Sequence, residues 1–164
     1  MIQENHELSI TGNLDRVDIS TTELKIQGKT KNIHKLRSLS NLQKLWLYSV
    51  NQTEFNRIIE LVNPKFLYIK EMRVEDLSSL ERLSNVETLE LEWNTKASRL
   101  WNLNKNTNLK FLGIIDFKRL HDISDLKICK ELETLKLEGG IWNTLKLNTL
   151  EPIKYLAKLK NLYL

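Results

Sequence analysis

One six-residue phrase returns through this chain at nearly constant intervals, and no other feature limits its fold as sharply. Leu42-Gln43-Lys44-Leu45-Trp46-Leu47 is followed by Pro64-Lys65-Phe66-Leu67-Tyr68-Ile69 and Val86-Glu87-Thr88-Leu89-Glu90-Leu91. Leu109-Lys110-Phe111-Leu112-Gly113-Ile114 and Leu132-Glu133-Thr134-Leu135-Lys136-Leu137 continue the series. The starts at 42, 64, 86, 109 and 132 are 22, 22, 23 and 23 residues apart. A weaker copy, Thr21-Thr22-Glu23-Leu24-Lys25-Ile26, lies 21 residues earlier, and a fragment, Leu162-Tyr163-Leu164, begins 30 residues after the last start. A period of this length marks a repeat architecture, in which each unit is one supersecondary element that cannot bury its apolar face alone.

The residue before each start supports the same register. It is Asn41, Asn63, Asn85, Asn108 and Asn161, with Glu131 the exception. Asn tolerates a left-handed backbone better than most residues, so the expectation is a turn that feeds a strand. Within each unit the apolar period changes. The first half alternates, as in Leu45/Leu47, Leu67/Ile69 and Leu89/Leu91, which predicts a short strand with one buried face. The second half places apolar residues three apart, as in Val74, Leu77, Leu80, Leu83 and in Leu120, Ile123, Leu126, Cys129. That spacing suits a tight 3₁₀-like segment better than a long α-helix. Composition agrees: 31 Leu stand against only 2 Ala, whereas a helical bundle this rich in Leu would carry more of the best helix former. Each unit therefore reads as strand, turn and short helical return, and the units stack into a parallel sheet.

The phrase Leu-x-x-Leu-x-Leu resembles the leucine-rich repeat. Val74-Glu75-Asp76-Leu77-Ser78-Ser79-Leu80 and Ile123-Ser124-Asp125-Leu126 resemble the short bacterial class found in internalin-like proteins. The resemblance covers about residues 21–164 and implies an α/β solenoid, with a curved parallel sheet on the concave face and short 3₁₀ or helical segments on the convex face. It also implies Asn nine places into each repeat, bonded to neighbouring backbone. Those places here hold Val50, Met72, Asn94, Phe117 and Gly140, so only Asn94 keeps the pattern and apolar packing must hold the coil edge elsewhere.

The expected domains are a cap over 1–20, about six repeats over 21–161, and the start of a further strand at 162–164. In the cap, Leu8–Leu14 and Val17-Asp18-Ile19 read as a β-hairpin around a Gly12-Asn13 turn. The long last unit has room for an insertion around Ile141-Trp142-Asn143-Thr144. A helix from about Pro152 would follow, facing Ile153, Leu156 and Leu159 to the core.

Strand alternation turns the third, fifth and seventh places of each unit away from the core. The third places are Glu23, Lys44, Phe66, Thr88, Phe111 and Thr134. The fifth are Lys25, Trp46, Tyr68, Glu90, Gly113 and Lys136, and the seventh are Gln27, Tyr48, Lys70, Glu92, Ile115 and Glu138. Trp46, Tyr48, Phe66 and Tyr68 thus form one aromatic patch. Lys70, Glu90 and Glu92 lie beside it with Trp93 at the edge, and Phe111 and Ile115 lie beyond, around Gly113. An exposed aromatic cluster rimmed by charge has the composition of a protein-binding hot spot, worth about 2 kcal/mol or more per anchor. The alternative is that these rings serve the sheet itself, since cross-strand aromatic pairs stabilise it by roughly 0.2–1 kcal/mol each.

Chemistry has little to start from. His6, His34 and His121 have no ligand spacing, so no metal or cofactor is expected. Cys129 occupies a core place, and a single cysteine excludes an internal disulfide and fits a reducing compartment. Glu90 and Glu92 point the same way, but a flat sheet lacks the pocket that acid–base catalysis needs. Neither an apolar leader in the polar first seven residues nor a transmembrane run is evident, so the expectation is a cytoplasmic protein without membrane contact. The net charge of +4 is small for a nucleic-acid binder, and Glu23, Glu90, Glu92 and Glu138 on the aromatic face would repel phosphates. The resemblance implies a non-catalytic module that binds a protein, as an adaptor, an inhibitor or an immunity factor that masks a toxin. The alternative is a fragment of a longer array that self-associates through an exposed end strand.

Overall fold

The structure is a computed structural model and describes residues 8–164. Its strands are β1 (Thr11–Asn13), β2 (Glu23–Lys31), β3 (Lys44–Asn51), β4 (Phe66–Arg73), β5 (Thr88–Asn94), β6 (Phe111–Phe117), β7 (Thr134–Glu138) and β8 (Asn161–Tyr163). They form one open parallel sheet in sequence order, β1 to β8. The register matches the repeat alignment place for place: Leu45 faces Leu67, Leu67 faces Leu89, Leu89 faces Leu112 and Leu112 faces Leu135. The second place of each unit holds adjacent coils together. The Lys65 carbonyl accepts from the amides of Glu87 and Thr88, that of Glu87 from Lys110 and Phe111, and that of Lys110 from Glu133 and Thr134.

The fourth and sixth places, Leu24/Ile26 through Leu135/Leu137, are buried on one face of the sheet. The returning segments cover them. Ile33–Ser38, Ser78–Arg82, Leu103–Lys105, Ser124–Ile128 and Glu151–Tyr155 are 3₁₀ turns. Each closes with a bond from residue i to i−3, such as Leu83 N–H to Leu80 and Cys129 N–H to Leu126. With three residues per turn, side chains three apart eclipse onto one line, so Leu77, Leu80 and Leu83 all enter the core. Of the ninth places, Asn94 is buried and bonded through both its amide nitrogen and its Oδ1. Its amide donates to the Val74 carbonyl at 2.9 Å, and its Oδ1 accepts from Lys96 and Ala97 amides at 2.8 and 2.9 Å. Val50, Met72 and Phe117 fill the equivalent place with buried apolar side chains.

Several expectations need correction. The N-terminal hairpin is absent from the described residues: β1 pairs with β2 in parallel, and Leu14 opens a 3₁₀ turn over Leu14–Arg16 and is buried. This stretch is a shortened first coil. Thr30 Oγ donates to the Thr11 carbonyl, and the Asn32 amide donates to Asn13 and Asp15, which ties it to the next coil. Residues 1–7 of the expected cap, His6 included, lie outside the described residues. The return after β3 is an α-helix, α1 (Gln52–Ile59), not a 3₁₀ turn. Asn51 and Glu54 form a capping box, and Phe55, Ile58 and Ile59 at helical spacing are buried. The return at Pro152 is a 3₁₀ turn, with Leu156 buried and Ile153 and Leu159 partly so.

The last unit starts at Leu159, not Leu162. Leu135 faces Leu162 across β7 and β8, so Leu162 holds the fourth place, and Asn161 belongs to the strand. The asparagines before the other starts are not left-handed either. Asn63 accepts from the Asn85 amide and donates to Ser84 Oγ, and Asn108 donates to the Ser84 carbonyl, so this position bridges adjacent coils. Left-handed backbone instead recurs at the eighth place, in Ser49, Glu71, Trp93 and Asp116, with φ between 50° and 64°. The pairing skips these residues, so each strand kinks there and turns its eighth side chain outward.

Candidate functional site

The sheet face turned away from the core carries the third, fifth and seventh places. Trp46 and Tyr68 stand outside the hydrophobic core cluster, as their register requires, yet they are only 4% and 2% exposed. The expectation of rings in water is corrected here. Neighbours on the same face bury them: Trp46 meets Phe66 at 4.9 Å between ring centroids, and Tyr68 meets Tyr48 edge-on at 5.9 Å. Lys25 Nζ lies 5.1 Å above the Tyr48 ring, and the Tyr68 hydroxyl donates to Glu92. Large side chains on adjacent strands, about 4.8 Å apart, lie against one another on this face.

The remaining expected residues divide by exposure. Tyr48, Phe66, Lys70, Glu92, Phe111 and Ile115 are half-buried, with Lys70 and Glu92 in an ion pair at 3.1 Å. Glu90 is only 3% exposed. It leans over Gly113, where a Cβ would stand 2.8 Å from Glu90 Cγ and 2.9 Å from Oε2. Burial pushes its carboxyl pKa up to about 6, with Lys136 pulling it down and Glu92 adding to the rise. Lys136 itself pairs with Glu138 at 3.2 Å.

Trp93 is 48% exposed, because its left-handed backbone swings the indole off the sheet end. One strand on, Asp116 accepts from the Asn143 amide and lies against Gly140, which holds the insertion loop beside the same sheet end. Ile141 and Trp142 at the tip of that loop are 92% and 91% exposed. The sequence pattern predicts an insertion here but gives Ile141 and Trp142 no role. The available signal was a Trp and an Ile after Gly139-Gly140 that fit neither apolar period.

Other candidates behave as ordinary structure. Cys129 is buried, and burial pushes its thiol up to about 12, so it is a core residue without thiolate character. His121 bonds its Nδ1 to the Arg119 carbonyl, while Asp122 accepts from the Ser124 amide, so the two act separately. Among the described residues no three His, Cys, Asp or Glu side chains gather as a metal site, and no helix is long and apolar enough to cross a membrane. A polar hollow of about 840 Å³ lies on the opposite side of the sheet, between α1 and the turns that follow β4 and β5. Gln52 already ties part of its wall by accepting from the Glu75 and Asp76 amides.

Comparison with solved structures decides the architecture. An internalin (inlF) from Listeria monocytogenes superposes with a TM-score of 0.60 over 88% of this chain and 47% of its own, at 18% identity. This is an internalin-like leucine-rich-repeat fold. Internalin C2 of the same organism gives a TM-score of 0.50 over 87% of this chain and 71% of its own, at 16% identity. By sequence, the solenoid is similar to leucine-rich repeat-containing protein 56 of Rattus norvegicus, at 32% identity over 104 residues. That match takes in 63% of this chain but 15% of the rat protein, so this solenoid spans a small part of that relative. No family model matches the chain.

Proposed function

We propose that the chain is a non-catalytic recognition module that docks a protein partner on the open sheet face and on the rim where β5, β6 and β7 end. The observation that carries this reading is the rim: Trp93 on one side of Asp116, and Ile141 and Trp142 on the other, stand in water, the last two more exposed than any other large apolar side chain among the described residues. Large aromatic side chains give much contact area for little lost entropy, and such residues concentrate binding energy at interfaces. Half-buried Tyr48, Phe66, Phe111 and Ile115 extend the contact area, and Lys70 and Glu92 orient the approach. Trp46 and Tyr68 support the face from below and are not anchors. The module would serve as an adaptor, an inhibitor or an immunity factor, and the buried, inert Cys129 suits a cytoplasmic setting.

Capture of partners from source lysate with the wild type and with a Trp93→Ala, Trp142→Ala double variant tests this. A specific partner should be recovered at least about tenfold less by the variant, since hot-spot residues each contribute about 2 kcal/mol. Equal recovery of every partner by both would sink the reading.

A second reading rests on β8, where Leu162, Tyr163 and Leu164 are exposed and β7 is the neighbouring strand. An exposed strand edge with apolar side chains can pair with a copy of itself. Sedimentation that becomes heavier with concentration, and reverts in Leu162→Glu, would favour self-association over partner docking.

A further inference from the structure

The core places of β8 are uncovered. From β2 to β7 the fourth and sixth places are no more than 3% exposed, whereas Leu162 and Leu164, at the same places of β8, are 43% and 66% exposed. Leu164 also helps to line an apolar hollow of about 310 Å³, together with Leu137, Leu145, Leu147 and Leu150. Among the described strands only β7 pairs with β8, so the other edge of β8 is open. The backbone series that joins the coils leads to the same edge. The Glu133 carbonyl accepts from the Lys160 and Asn161 amides, as those of Lys65, Glu87 and Lys110 do for the coils after them, and the Lys160 carbonyl is next in line.

The second places carry a charge pattern that says what suits this edge. They read Lys65, Glu87, Lys110, Glu133 and Lys160, alternating in sign from coil to coil. Lys110 Nζ meets Glu87 at 3.0 Å, and Lys160 Nζ meets Glu133 at 2.9 Å. Lys160, and after it Lys110, hold the Glu133 carboxyl below its ordinary range, so an inner member of the ladder feels opposite charge from both sides. Among the described residues Lys160 is paired on its Glu133 side alone. Lys158 repeats the arrangement two residues earlier, meeting Glu131 at 2.6 Å. From 141 to 164 the charged side chains are Lys146, Lys154, Lys158 and Lys160 against Glu151. A second copy would bring the same positive edge, and like charge disfavours that match.

We propose that the open edge of β8 takes an acidic, extended segment of a protein partner as a further parallel strand, with a carboxylate beside Lys160 and apolar side chains beside Leu162 and Leu164. The required spacing is that of the chain's own phrase: an acidic residue, then apolar residues two and four places on, as in Glu87, Leu89 and Leu91. Main-chain bonds supply affinity, alternate side chains fix the register, and the exposed ion pair selects the sign of the charge more than it adds strength. This surface is separate from the docking rim and uses none of Trp93, Ile141 and Trp142.

The test is an NMR titration of the full chain with acetyl-Thr-Glu-Thr-Leu-Thr-Leu-Thr-amide, following the backbone amides of residues 160–164. These should shift saturably, while the amides of Trp93 and Trp142 stay in place. The same peptide with Lys for its Glu should bind about fivefold more weakly, because an exposed ion pair becomes a like-charge contact. The exchange Glu133→Lys with Lys160→Glu keeps that pair within the chain and should reverse the preference. Equal affinity for the two peptides overturns the proposal, as does a preference that the exchange leaves unreversed. A titration without saturable shifts in 160–164 does the same. Sedimentation of the chain alone that grows heavier with concentration, and reverts in Leu162→Glu, also overturns it by giving the edge to a second copy. The Trp93→Ala, Trp142→Ala variant should bind the peptide as the wild type does, so failure of the rim and failure of the edge are read separately.

Discussion

The fifth-place row has two halves that share a backbone and differ in outcome. On β3 and β4 it presents Trp46 and Tyr68, and on β5, β6 and β7 it presents Glu90, Gly113 and Lys136. Every one of these residues is turned to the open face. In the first half each ring meets another across the strand gap, Trp46 the third-place Phe66 and Tyr68 the seventh-place Tyr48, and both are buried. In the second half a glycine interrupts the row, the flanking carboxyl is buried without a partner for Oε2, and polar capacity is left over. An outward position on a sheet is therefore an address, while exposure depends on the sizes of the neighbours on the same face.

The contrast is open to measurement. Removing a ring from the filled half should cost most: Tyr68→Ala should destabilise the chain by about 3 kcal/mol in urea unfolding, as for a buried core aromatic. A loss below about 1 kcal/mol would break the contrast, since ordinary surface positions behave that way. Gly113→Ala should cost about 1–2 kcal/mol, because the added methyl overlaps Glu90 Cγ, and Glu90→Ala in the same chain should recover most of it.

Glu90→Gln should act in the opposite direction. The folded pKa of about 6 exceeds the ordinary value of 4.5, so the folded state binds more protons in that window and stability falls as pH rises through it. The variant should then be more stable than wild type at neutral pH by about 1 kcal/mol, allowing for solvent screening, with the gain vanishing below about pH 4.5. Stability curves that run parallel across this range would show that Glu90 is solvated. Lys70→Met should change stability by no more than about 0.5 kcal/mol, as a partly exposed pair. Trp142→Ala should change it least, within about 0.5 kcal/mol, because its indole packs on almost nothing; any larger loss would mean that the loop is structural.

The solenoid was legible because its information is local and repeated. Leu-x-x-Leu-x-Leu places two leucines on one face of every strand, and five copies set the parallel register before any contact is known. The ninth-place Asn94 and the apolar substitutes Val50, Met72 and Phe117 followed from the same alignment. Errors gathered where the repeat weakens. The N-terminal coil carries Thr11-Gly12-Asn13, which also spells a hairpin turn, and only Leu14 sinking into the core and the bonds from Asn32 settle it as a parallel coil. In the last unit an insertion hid the start at Leu159, although Leu159-Lys160-Asn161-Leu162-Tyr163-Leu164 is a full copy of the phrase. Asn51 and Glu54, with Phe55, Ile58 and Ile59, spelled a capped α-helix that the 3₁₀ spacing of the other units overshadowed.

By itself, the order of residues determined the coil, its register and which side of the sheet each side chain takes, because these follow from bond geometry at period two and from burying leucine. Only the tertiary structure decided that Trp46 and Tyr68 are closed over and that Glu90 is buried across Gly113. It also decided that Trp93 and Trp142 stand in water around Asp116. Those outcomes depend on distances between side chains 20 or more residues apart in sequence and on a left-handed residue near the ends of β3 to β6, and no pattern read along a single chain encodes them.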